Sequence, residues 1–123
     1  MRYSLLLNNP EPTPGQVSDE DWKAMQVAFD AYAKSLDAAG VLIAAEIPQP
    51  VAATTTVTLR TGKLQVQDGP FADTKEVLAG YFLIDVPDLD AALAWAEKCP
   101  GAQYGVIEVR PPAISFVDGQ WRS

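Results

Sequence analysis

Tyr3, Leu5 and Leu7 alternate with Arg2, Ser4 and Leu6 at the start of the chain, and this period of two predicts a β-strand over 2–7. The Pro-rich stretch "NNPEPTPGQ" then has no periodicity and is read as a loop. From Ser18 the period changes. Trp22, Met25, Phe29, Tyr32 and Leu36 recur at steps of three and four, the apolar stripe of a helix that packs on a sheet. Ser18 can cap its first turn, Asp19, Glu20 and Asp21 suit the positive end of its dipole, and Gly40 ends it.

"VLIAAEI" (41–47) predicts a second strand. "TTVTLR" and "KLQVQD" flank Thr61-Gly62 and predict a hairpin. Its apolar face would carry Val57, Leu59, Leu64 and Val66, and its polar face Thr56, Thr58, Gln65 and Gln67. "GYFLIDV" (80–86) reads as a strongly apolar strand. Asp88 should cap a second helix whose Leu89, Ala92, Leu93, Ala96 and Cys99 face inward, with Pro100-Gly101 ending it. "YGVIEVR" (104–110) is a last strand, stopped by Pro111-Pro112.

The order β-α-β, β-hairpin, β-α-β predicts an α+β fold: a ferredoxin-like split βαβ sheet with both helices on one face. The hairpin is an insertion between the two halves. We expect one domain over residues 1–112 and a C-terminal tail over 113–123. The interior strands are apolar on both sides, so the helix-free face calls for a second layer. A second copy of the same sheet supplies one, and a homodimer through sheet faces is expected.

Composition narrows the chemistry. The chain has 123 residues, 48% of them hydrophobic, and a net charge of −7. Such acidity argues against nucleic acid, which needs a basic patch, and against anionic membranes. No apolar run approaches the ~20 residues of a membrane helix, and the N-terminus lacks a signal-peptide pattern, so a cytoplasmic protein is expected. Cys99 is the only cysteine and there is no histidine. Ser-His-Asp and Cys-His catalysis and ordinary zinc sites are thereby excluded, and no cofactor motif is present.

What remains is "DGPFADTKE" at 68–76. Asp68 shares parity with Leu64 and Val66, which points its carboxylate to the hairpin's apolar side. An acid at such a rim loses part of its hydration, which suits it to proton transfer. Asp-Gly-Pro is equally ordinary turn chemistry, in which Asp68 accepts bonds from the next backbone amides. Phe71 could plug into the core, and Asp73 with Glu76 reads as a capping box that would make "TKEVLA" a helical turn. Glu46, Asp85, Glu108 and Arg110 are further polar candidates on strands.

Asp68-Gly69-Pro70-Phe71, then Thr74-Lys75-Glu76 and Gly80-Tyr81, together with "MRYSLLL" and "AAGVLIAAE", resemble the YCII-related family and its DGPF-domain branch. The resemblance implies a dimeric α+β barrel with a cleft near the motif. Members of the wider family are proposed to be enzymes using a His-Asp pair, which a chain without histidine does not possess. Association of DGPF proteins with extracytoplasmic-function sigma factors implies an accessory role as an alternative. The expected site is thus a small-molecule cleft with Asp68 as acid or base. Lys75 and Glu76 would tune it, and Phe71 and Tyr81 would line it. Ile114, Phe116 and Trp121 of the tail are apolar anchors that would pack on the partner subunit.

Overall fold

A computed structural model describes residues 1–123. Strand β1 (Arg2–Asn9) is followed by α1 (Asp19–Ala38) and β2 (Leu42–Glu46). The insertion is the hairpin β3 (Thr55–Thr58) and β4 (Gln65–Asp68). Then come β5 (Val77–Asp85), α2 (Leu89–Lys98) and β6 (Val106–Arg110). A short second hairpin, β7 (Ser115–Val117) and β8 (Gln120–Arg122), completes the chain.

Local rules explain the element ends. The Ser18 hydroxyl accepts a hydrogen bond from the Asp21 amide at 3.1 Å, and Asp88 Oδ1 accepts one from the Ala91 amide at 2.9 Å. Gly40 leaves α1 with φ +72, a left-handed conformation that a residue without Cβ adopts freely.

β2, β5, β1 and β6 form one open four-stranded sheet in that order, with every neighbouring pair antiparallel. Tyr3, Leu5 and Leu7 of β1 and Phe82 and Ile84 of β5 share its inner face. They pack under Tyr32 and Leu36 of α1 and Ala92 and Ala96 of α2, so both helices lie on this side. The Tyr32 and Phe82 rings meet edge to face at 5.0 Å. Cys99 is buried in the same cluster. The other face carries Ser4, Leu6, Tyr81, Leu83 and Arg110 and has no helix over it.

Two expectations are corrected. "TKEVLA" is not helical: β5 begins at Val77, which pairs with Asn9 of β1, and the Thr74 hydroxyl donates to the Glu76 carbonyl at 2.6 Å. Sheet pairing there outcompetes the capping box. The tail, for which no element was expected, forms the β7–β8 hairpin, turned at Asp118-Gly119 with φ +53 and +76. Leu89 and Leu93 are about half exposed, because α2 turns its smaller Ala92 and Ala96 to the sheet.

Candidate functional site

The loop after β4 leaves the hairpin at Asp68 and re-enters the main sheet at Val77, beside the end of β1. Gly69 makes the turn possible with φ +100. Its amide donates to the Thr54 carbonyl at 2.7 Å, and its carbonyl accepts from the Thr56 hydroxyl at 2.7 Å. Gln67 Nε2 reaches the Pro70 carbonyl at 3.3 Å. The turn is therefore held by backbone and by Thr56 and Gln67. The Asp68 carboxylate makes no hydrogen bond within the chain, so it does not act as the turn's clasp. It stands opposite Thr55, on the hairpin side that carries Val57 and Val66, and it is exposed.

Phe71 does not plug the core. It is 73% exposed and lies under the Arg60 guanidinium, 5.4 Å from the ring centre. With Pro70 and the hairpin strands ahead of it, the loop is too tightly tied to reach the buried cluster. Lys75 and Glu76 are exposed as well. Tyr81 is half-buried on the outer sheet face, opposite Glu46 in the β2–β5 register. Partial desolvation, and then the Glu46 carboxylate, push its hydroxyl above the ordinary tyrosine range. The structure brings Tyr81 and Glu46 together and leaves Asp68, Lys75 and Glu76 as an open, charged loop.

Asp85 ends β5 in solvent. Its carboxylate accepts from the Met1 amine at 2.6 Å, which holds it below the usual carboxylate range. Glu108 accepts from the Asn8 side-chain amide at 3.1 Å. No group of three or more Cys, Asp or Glu side chains is placed to hold a metal ion. No helix is long and apolar enough to cross a membrane.

Two open hollows lie at the other end of the sheet. One, of about 320 Å³, is lined by Ser4, Leu6, Arg110 and the Pro111–Ala113 segment. The next, of about 250 Å³, is lined by Arg2, Asp85, Ile114, Ser115, Val117 and Arg122 among others. Pro112 and Ala113 border both. None of Asp68, Phe71, Lys75, Glu76 and Tyr81 lines either one. Arg2, Ser4 and Arg122 carry no local motif, and only the β1–β6 pairing with the turn-back of the tail brings them near Arg110.

The model of the YCII-related domain matches residues 1–112. An uncharacterized protein of Rhizobium meliloti is 35% identical over 116 residues, which cover 93% of this chain and 94% of that protein. The chain belongs to the YCII-related domain family.

Proposed function

We propose that this YCII-related protein works as a homodimer of ferredoxin-like protomers and binds a small molecule in a cleft beside the DGPF loop. Asp68 would serve as the acid or base there, with Phe71, Lys75, Glu76 and Tyr81 around the ligand. One observation carries the assembly. The single chain exposes 8883 Å², whereas a compact monomer of 13.3 kDa exposes about 6,500 Å². Much of the exposed apolar surface is concentrated. Val57, Leu59, Leu64 and Val66 of the hairpin are each at least 61% exposed. Phe116 and Trp121 of the last hairpin, whose rings lie 5.2 Å apart and tilted by 31°, are exposed too. The strand order β2-β5-β1-β6 under two helices supports the ferredoxin-like reading.

The cleft follows from the same surface. Asp68 stands at the end of the hairpin's apolar row. A partner laid over that row turns an open loop into the wall of a cleft, with the carboxylate at its rim.

A second reading is a non-catalytic accessory role toward a basic protein, in keeping with the family's sigma-factor association. It is favoured by the surface alone: the net charge is −7 and no charged side chain is buried. One experiment separates the two. Sedimentation gives the mass, and a thermal-shift screen against a panel of small organic acids, amines and alcohols is run on wild type and Asp68→Asn. A dimer with a ligand-dependent rise in Tm that Asp68→Asn loses supports the cleft. A dimer with no responding compound, bound instead by a basic partner, supports the accessory role.

A further inference from the structure

Four arginines occur in the chain, at 2, 60, 110 and 122. Three of them line the two adjoining cavities at the β6–tail junction. This concentration is notable in a protein of net charge −7, since nothing in the fold requires cations to gather there. The chain's two salt bridges are Met1–Asp85 and Lys34–Asp30, so none of the three guanidiniums is in a salt bridge. Asp85 is the only acidic side chain lining either cavity; the Met1 amine holds its carboxylate at 2.6 Å, and Arg2 adds a weaker attraction.

The scaffold fixes the arrangement. Ser4 pairs with Arg110 across β1 and β6, and Arg2 lies two residues along β1 on the same outer face. Pro111-Pro112 stiffen the exit from β6, and the β7–β8 hairpin returns Arg122 to the wall shared with Arg2. Hydroxyls of Ser4 and Ser115 line the cavities beside the guanidiniums. A guanidinium presents a planar fork of donors that matches a carboxylate or phosphate. The first hollow, of about 320 Å³, is just large enough for a small metabolite, and the second, of about 250 Å³, adjoins it.

We propose that Arg2, Arg110 and Arg122 form a binding site for a small dianion, a dicarboxylate or a phosphomonoester, in these adjoining cavities. It lies at the opposite end of β1 from the DGPF loop, about 23 Å away along an eight-residue strand. It is therefore independent of any chemistry at Asp68.

The test is a titration of the ¹⁵N-labelled full chain with succinate, with inorganic phosphate and with uncharged succinamide, at constant ionic strength set by chloride. Saturable shifts of the Arg2, Ser4, Arg110 and Ser115 amides with succinate or phosphate, and none with succinamide, support the site. The stronger of the two ligands identifies the anion class. Arg110→Gln and Arg122→Gln should each weaken binding by about tenfold or more, while Lys63→Gln, which removes a distant cation, should not. Circular dichroism establishes that the exposed-residue variants remain folded. Non-saturating shifts, equal effects of chloride, or unchanged affinity in both arginine variants would overturn the proposal. Loss of ligand response in Asp68→Asn with this titration intact would show the two sites to be separate.

Discussion

The Tyr32 hydroxyl donates a hydrogen bond to the Trp95 carbonyl at 2.8 Å and so joins α1 to the last turn of α2. The carbonyls of a helix's final turn have no intrahelical donor, and the Cys99 amide here bonds Ala96 instead. Tyr32 thus supplies from another helix what α2 lacks. Tyr32→Phe keeps the ring against Phe82 and removes only this bond. It should cost about 1 kcal/mol, read as a drop in Tm of about 4 °C. An unchanged Tm would show that water replaces the hydroxyl without loss.

The same tyrosine sets an alkaline limit. Burial, and then the nearby Cys99, push the Tyr32 hydroxyl well above its ordinary range, and Tyr104 moves the same way. Burial also raises the Cys99 thiol. In the unfolded chain the thiol ionises near pH ~8.5 and the tyrosines near pH ~10. Between those values and the raised folded ones, the unfolded state has released protons that the folded state keeps. Higher pH then favours unfolding. The contribution is complete below about pH 8.5 and erodes above it. The urea midpoint should be nearly flat from about pH 6 to 8, where no histidine exists to titrate, and should fall beyond about pH 9.

How much of this was legible in the sequence depends on whether the deciding contacts are local. Both helix caps, at Ser18 and Asp88, are set within four residues and read correctly. So is the inner face of β1, whose Tyr3, Leu5 and Leu7 follow the period of two. The capping box at Asp73 and Glu76 misled because Val77 finds a partner in Asn9, far away in the chain. The Asp118-Gly119 turn carried an Asp-Gly hairpin signal, but three-residue strands on either side gave no periodicity to support it. Parity placed Asp68 on the Val66 side of the hairpin, yet parity says nothing about what covers that side. The arginine cavities were invisible, since residues 2, 110 and 122 come to line adjoining cavities only in the folded chain.

Gly105 is a position where size alone decides. A Cβ there would run into the Asn8 carbonyl oxygen and come within 2.9 Å of the Asn9 Cβ. Both obstacles belong to the end of β1, where the register shifts between Leu7 and Asn8. Gly105→Ala must displace backbone and should cost about 1–3 kcal/mol. At Gly80 the nearest obstacle is the tip of the Ile47 side chain, 2.6 Å away, which can rotate aside. Gly80→Ala should be the milder change, and equal denaturant midpoints for the two variants would contradict this reading.

Val66 and Val106 separate a solitary chain from an assembled one. Both are exposed, at 61% and 60%, on different elements: the inserted hairpin and the edge strand β6. In a monomer a glutamate at either position would sit in water and change stability by no more than about 0.5 kcal/mol. In a dimer that covers these residues, each substitution buries two like charges across the two-fold axis, without partners. Val66→Glu and Val106→Glu should then shift the protein to its 13.3 kDa monomer at micromolar concentration while circular dichroism stays unchanged. If only Val66→Glu dissociates the protein, the hairpin rather than the sheet edge carries the contact. If neither does, the exposed apolar rows are not an interface between copies.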